Sequence, residues 1–274
     1  MALPTSKIPA LPFEISSFAC APKFPAVRFA AHAEFQEFIA TSQETLDSRY
    51  AYEQTLASSE PCLVQQGTCA PCLRATSFTS DTRGGDVLND GRGVPYWREA
   101  MQCDCKDPLT SQQRALLHFV QATGVLPWSK LLLLGLPAPV DSHLTAMVES
   151  VMRVRPFPAL TEVDSFHFAV SSNYLQNVPQ LGAVLARLCA GLVEGGRFVF
   201  TVPFSFNDAK SVLMDTSRFK GQVPGEFYES AHKFGWDLLD RLRTAGFRDA
   251  AAYLYWSEEL GYLGPWNFIF RAVK

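Results

Sequence analysis

The chain has 274 residues, 24 Lys and Arg against 27 Asp and Glu, and a formal net charge of −3. That balance gives no global basic field to collect nucleic acid or an anionic membrane. With 47% hydrophobic and 19% charged residues the composition is that of a globular protein, long enough for one large domain or a domain plus an appendage. No apolar run reaches the roughly 18 residues a membrane span needs. The N-terminus lacks the unbroken hydrophobic stretch of a signal peptide, so the expected location is cytosolic.

In chain order, residues 1–28 contain Pro4, Pro9, Pro12, Pro22 and Pro25, a density that excludes helix and predicts extended chain. Residues 30–58 lack Gly and Pro, and Phe35, Phe38, Ile39, Leu46, Tyr50 and Leu56 fall near helical spacing. One or two amphipathic packing helices follow. Residues 59–106 hold paired cysteines around a polar, Gly-rich interior and read as a small loop-rich module with a thin core. Residues 110–126 predict a helix capped by Thr110 or Ser111, with Ala115, Leu116, Phe119 and Val120 as its apolar face.

Strand and helix then alternate. Residues 130–136 (KLLLLGL) form a continuous apolar run, as a strand buried on both faces does. Residues 141–154 read as helix, 166–172 as strand, 180–193 as a helix ended at Gly195–Gly196, and 196–204 as strand. Residues 232–246 read as a helix with Gly246 just past its end. Residues 250–257 and 266–274 close the chain as strands joined by a short link. This alternation implies an α/β fold with a largely parallel sheet and an antiparallel final hairpin. The expected organisation is an extended and helical segment (1–59), a paired-cysteine module (60–109) and a Rossmann-like domain (110–274).

Of seven cysteines, four are closely paired: Cys69-Ala-Pro-Cys72 and Cys103-Asp-Cys105. In a reducing compartment this spacing favours a metal over a disulfide framework. The two thiolates of a C-x-x-C knuckle converge on one ion, and Cys69, Cys72, Cys103 and Cys105 together make a closed tetrahedral zinc site. Zinc would supply the folding free energy that a thin core lacks. A single intervening residue strains the second pair, and Cys62 is an alternative ligand. The competing reading is a set of free buried thiols.

The tail resembles the class I S-adenosylmethionine (SAM)-dependent methyltransferases. FHFAVSSNYLQNVPQLGAVLARLCAGLVEGGRFVFTVPF (166–204) is similar to their fourth strand, following helix and fifth strand. FGWDLLDRLRTAGFRDAAAYLYW (234–256) is similar to their last helix, "AGF" turn and sixth strand, and GPWNFIFRAVK (264–274) to their reversed seventh strand. The front half is similar to a bacterial subgroup with a paired-cysteine module. The matching pieces are Cys69-Ala-Pro-Cys72, then Tyr96-Trp97-Arg98-Glu99 leading to Cys103-Asp-Cys105, then Gln113-Arg114-Ala115. The resemblance covers roughly residues 60–274 with gaps. It implies a Rossmann-like methyltransferase fold with a contracted sheet, a zinc-ribbon-like segment in front, and SAM at the carboxyl ends of the strands. On the cofactor side it points to Gly135, Asp141, Ser172, Asn173 and Gln176. On the substrate side stand Tyr228 and His232, the latter a general-base candidate near neutral pH, with Trp236, Tyr255 and Trp256. Taken singly, each of these is an ordinary solvated or core residue.

The departures from the family are specific. The glycine-rich turn after the first strand is reduced to Gly135 and interrupted by Pro137 and Pro139, which remove amide donors. Only about thirty residues separate the first strand from Phe166. They offer Glu149, Glu162 and Asp164 for the ribose hydroxyls, none at the end of a clear strand. The family's acidic-histidine pair after strand four is replaced by Gln176-Asn177. Two readings follow: a SAM-dependent methyltransferase of a small molecule or protein, or a binding or partner protein that kept the fold and lost the cofactor. An enzyme turned to another reaction is a third. Arg153, Arg155, Lys210, Arg218 and Lys220 read as solvated surface. No nucleic-acid or membrane partner is expected.

Overall fold

Contacts divide the chain into two units, each assembled from separated stretches: unit 1 from residues 1–27, 33–124 and 254–267, and unit 2 from residues 28–32, 125–253 and 268–274. The structure is a computed structural model that describes residues 14–15, 22–82, 85–154, 161–178, 180–215 and 230–274.

Unit 1 begins with β1 (Glu14–Ile15) antiparallel to β2 (Phe24–Phe29), followed by α1 (His32–Thr41) and α2 (Gln43–Thr55). On α2 the sequence pattern misleads. Tyr50 is exposed, whereas Arg49 and Glu53 are buried. The Glu53 carboxylate accepts hydrogen bonds from Trp256 Nε1 at 2.7 Å and from the Gly264 amide at 2.8 Å, and the Arg49 guanidinium lies over the Trp256 ring. The buried carboxylate is satisfied by two donors and the guanidinium by the ring face, though Arg49 Nε is left without a hydrogen bond among the described residues.

The cysteine segment is not loop-rich, as its composition suggests. β3 (Cys62–Cys69) and β4 (Arg74–Asp81) form an eight-residue antiparallel hairpin running from Cys62↔Asp81 to Cys69↔Arg74. β5 (Asp86–Val87) pairs with β6 (Gly93–Val94). After the short α3 (Trp97–Ala100), β7 (Gln102–Cys103) joins β4 through Phe78↔Cys103. The hairpin was hidden because its buried face alternates Thr76, Phe78 and Ser80, a period-two pattern with little apolar content. Gly67 lets another segment come close. A Cβ there would sit 2.3 Å from the Glu259 carbonyl, which accepts the Thr68 amide. α4 (Ser111–Ala122) carries a capping box, Thr110 with Gln113, and is buried along most of its length. Its Phe119 meets Phe24 edge-to-face at 5.0 Å, beside Tyr255 and Tyr262.

Unit 2 is the α/β part. β8 (Lys130–Leu134) leads to α5 (Ala138–Met147) and β9 (Ser150–Arg153). β10 (Phe166–Ser172), a 3-10 turn (Leu175–Asn177), α6 (Leu181–Gly191) and β11 (Leu192–Thr201) follow. Then come β12 (Val212–Asp215), β13 (Ser230–Lys233), α7 (Asp237–Thr244), β14 (Asp249–Ser257) and β15 (Tyr262–Val273), of which residues 254–257 and 262–267 belong to unit 1. Within unit 2 the strands follow the order β14-β15-β11-β10-β8-β9. β9, β8, β10 and β11 are mutually parallel, and β15 is antiparallel to β11. The four leucines Leu131–Leu134 are buried, as an inner parallel strand requires.

Three sequence expectations change here. The stretch 232–246 is not helix throughout, since Ser230–Lys233 is β13 and α7 starts only at Asp237. The stretch 141–154 is not one helix, because its second half is β9 at the edge of the sheet. Gly195 and Gly196 do not stop α6, which passes into β11 at Leu192. They lie within β11, where its register with β10 slips between Leu192 and Arg197, and Gly195 has φ +74°. Gly246, at φ +109°, does close α7 as expected.

Candidate functional site

In parallel sheets ligands gather at the carboxyl ends of the strands. There unit 2 has an open crevice of about 540 Å³ lined by Leu133, Gly135, Leu136, Ala138, Asp141, Ser142 and Arg153. Gly135 turns the chain out of β8 at φ +60°, and a Cβ on it would lie 2.5 Å from the Tyr174 ring. α5 starts immediately, with Pro137 as its N-cap and Pro139 in its first turn. Two of the amides that would face a ligand are therefore missing.

Asp141 and Arg153 dominate the crevice electrically. The Arg153 guanidinium grips the Asp141 carboxylate side-on, Nε to Oδ2 at 2.9 Å and Nη2 to Oδ1 at 2.6 Å. It also donates to Thr145 Oγ1 at 2.7 Å. Arg153 is the last residue of β9, so a cation stands at the carboxyl end of that strand. Glu149 lies just before β9, and Glu162 and Asp164 lie before β10, all three at the amino ends of their strands. Asp164 is engaged by Lys274 Nζ at 2.6 Å.

After β10, Ser172 is buried at 3.4 Å from Thr201 Oγ1, and Asn173 adopts φ +48° with its amide on the Thr201 carbonyl. Gln176 lies in the 3-10 turn, with Oε1 buried and unpartnered. β13 packs against this turn, which brings His232 beside it. The Val178 backbone hydrogen-bonds the imidazole, and Nε2 has no partner among the described residues. Burial, then the Arg241 charge, holds the His232 pKa below its ordinary value. The structure thus gathers Ser172, Asn173, Gln176 and His232 at one end of β10, whereas Gly135 and Asp141 line the neighbouring crevice. Tyr228 lies outside the described residues. Trp236 is buried with Nε1 on the Phe206 carbonyl, and Tyr255 and Trp256 are buried in unit 1. These three are core residues.

A second centre lies in unit 1. Cys69 ends β3, and the turn Ala70–Leu73 returns the chain to β4, with Leu73 at φ +51°. The Sγ atoms of Cys69, Cys103 and Cys105 lie within 4.8 Å of one another, all three residues buried. The Cys72 thiol is hydrogen-bonded with that of Cys105. Sulfurs on a tetrahedral zinc are about 3.8 Å apart, given Zn–S bonds of about 2.3 Å, so the three grouped thiols Cys69, Cys103 and Cys105 fit such an ion, while Cys72 falls outside that group. The one-residue spacing of the second pair is accommodated by Asp104. Its carboxylate turns away to accept from Thr76 Oγ1, and its amide donates back to the same hydroxyl at 3.2 Å. Cys103 is the readiest thiolate: the Cys69 thiol, then the Leu109 and Cys105 amides, bring its pKa down to about 5. Cys69 is pushed up by its hydrogen bond to Cys103 and by burial. Cys62 is exposed at the opposite end of the hairpin, seven residues and about 23 Å from Cys69, too far to replace a ligand.

Four adjacent parallel strands with a crevice at their carboxyl ends define unit 2 as a Rossmann-like α/β protein. No known family profile matches the chain, and no curated protein matches it. Among solved structures it is similar to a SAM-dependent methyltransferase from Mesorhizobium loti, at 15% identity and TM-score 0.38 over 60% of this chain and 98% of that one. It is also similar to the 1,6-didemethyltoxoflavin-N1-methyltransferase of Burkholderia thailandensis (20%, 0.36, 54% and 72%). A third similarity is to the N-methyltransferase NodS of Bradyrhizobium japonicum (12%, 0.37, 59% and 85%).

Proposed function

We propose that this chain is a methyltransferase-fold protein that has lost the class I mode of SAM binding and works as a binding or partner protein. The observation that carries this is Arg153. A cation at the end of β9, locked on Asp141, cannot accept hydrogen bonds from ribose hydroxyls. It also occupies the carboxylate nearest the crevice. The prolines at the start of α5 and the Tyr174 ring over Gly135 narrow the approach further. SAM does not fit this donor set. Calorimetric titration of SAM and of S-adenosylhomocysteine into the purified chain tests the reading. We expect no saturable heat up to millimolar ligand, and a dissociation constant in the low micromolar range refutes it.

The second reading, a SAM-dependent methyltransferase, draws on His232. Its free Nε2 at the end of β10, on a ring held neutral near pH 7, is the arrangement of a general base. Methyl transfer to a small amine or hydroxyl, abolished by His232→Ala, would establish that reading in place of the first.

In unit 1 we propose a structural zinc on Cys69, Cys72, Cys103 and Cys105. Four thiolates leave no open position for catalysis. Elemental analysis of protein purified without chelator is expected to find about one equivalent, and less than half an equivalent refutes the site.

A further inference from the structure

Arg114 is the most conspicuous charge outside the crevice. It is fully buried on α4. Nη1 donates to the Met101 and Leu109 carbonyls and Nη2 to the Gly261 carbonyl, each at 2.9 Å, while Nε has no partner. The guanidinium carbon lies 4.2 Å from the centroid of the Phe78 ring. Carbonyls and ring faces stabilise a cation but do not neutralise it, and an unneutralised buried charge costs several kcal/mol. Among the described residues no carboxylate pairs with it; the ionisable groups that act on it are the Tyr262 and Tyr255 phenols and the Cys69 and Cys103 thiols. Burial holds both phenols well above their ordinary pKa and therefore neutral.

The surrounding contacts tie Arg114 to the cysteine loop. Leu109, whose carbonyl it holds, donates its amide to Cys103 Sγ at 3.4 Å, and Cys103 returns its own amide to the Leu109 carbonyl. Met101 precedes the second cysteine pair by two residues, and Phe78 is the β-partner of Cys103. Arg114 thus grips both flanks of the loop carrying Cys103 and Cys105. Four thiolates and one Zn²⁺ carry a net charge of −2, which a buried site must offset.

We propose that Arg114 is the buried counter-cation and positioning residue of the thiolate centre, so that its charge, and not only its packing, sets the affinity for zinc. The proposal rests on the zinc reading above.

The test uses the full chain with zinc, as wild type, Arg114→Lys and Arg114→Met, titrated against a chromophoric chelator. Arg114→Met is expected to weaken zinc binding about 10–100-fold, as loss of a residue supporting metal ligands typically does. Arg114→Lys, which keeps the charge but not the fork of donors, should recover most of that loss. The pH at which acid releases half the zinc should rise in Arg114→Met and stay near the wild-type value in Arg114→Lys. A methionine variant that binds zinc within about threefold of wild type overturns the proposal. So do lysine and methionine variants that lose it equally, since shape alone would then explain the residue. If Arg114→Met does not fold, Arg114→Gln takes its place. Failure of both neutral variants while Arg114→Lys folds and holds zinc supports the proposal, and failure of all three overturns it. Wild-type protein without zinc ends both readings, whereas zinc-bearing wild type with indifferent variants ends this one alone.

Discussion

Acidification should loosen unit 1 through one side chain, His118. The imidazole is fully buried on α4, where Nε2–H donates to the Pro22 carbonyl at 2.6 Å and Nδ1 accepts from the Tyr262 hydroxyl at 3.2 Å. That pattern needs the neutral ring, and burial brings its pKa down from 6.5 to about 4. Because the folded value is the lower one, the unfolded chain takes the proton first. The contribution is intact above pH 6.5, falls as pH drops through that value, and is fully lost near pH 4. Over that window the two values give a loss of about 2 kcal/mol between pH 7.5 and pH 5. Urea unfolding of wild type and His118→Gln at both pH values measures it. Glutamine keeps a donor for Pro22 and an acceptor for Tyr262 but does not titrate. It is expected to cost about 1 kcal/mol at pH 7.5, while its own loss on going to pH 5 should be about 2 kcal/mol smaller than that of wild type. Curves that fall in parallel, within about 0.5 kcal/mol, refute the assignment of that acid sensitivity to His118.

Four further outcomes follow from single contacts. Gly135→Ala should destabilise the chain by about 1–3 kcal/mol in a urea melt, because the position has φ +60° and the new Cβ meets the Tyr174 ring. Glu53→Gln should remain within about 1 kcal/mol of wild type, since the amide oxygen still accepts from Trp256 and Gly264 and burial already disfavours the charge. Glu53→Ala, which leaves both donors buried and unpaired, should lose about 2–3 kcal/mol in the same assay. Thr110→Ala removes one half of the α4 capping box and should lower stability by about 1 kcal/mol, read from the thermal midpoint.

How well the sequence disclosed the fold depended on how each element is buried. β8 was legible because a strand covered on both faces must be a run of apolar residues, and Leu131–Leu134 is one. α4 was legible because a capping box and a helical apolar stripe coincide. β9 was not. Four residues at the edge of a sheet, following a helix without a breaker, carry no periodicity long enough to separate Ser150–Arg153 from α5. The β3–β4 hairpin was missed for a related reason: a small polar unit buries Thr and Ser where a larger one would bury Val and Ile.

The two centres differ in the same respect. Of the four cysteines at fixed spacing that pointed to a metal, Cys69, Cys103 and Cys105 come together, because folding had only to bring two short loops together. What the sequence left out was the support, namely Asp104 turned onto Thr76 and Arg114 beneath the loop. The crevice was legible only by position. Gly135 and Asp141 line it, and so does Arg153, whose side chain is solvent-exposed as its reading among five basic surface residues expects. Its role depends on β9 ending at that residue, which no local pattern reveals. Once β9 is in place, Arg153 and Asp141 face each other across the β8–α5 turn, and the pairing follows from charge alone. A cation stands at the end of β9, and any ligand of this crevice must either displace an ion pair or be complementary to one.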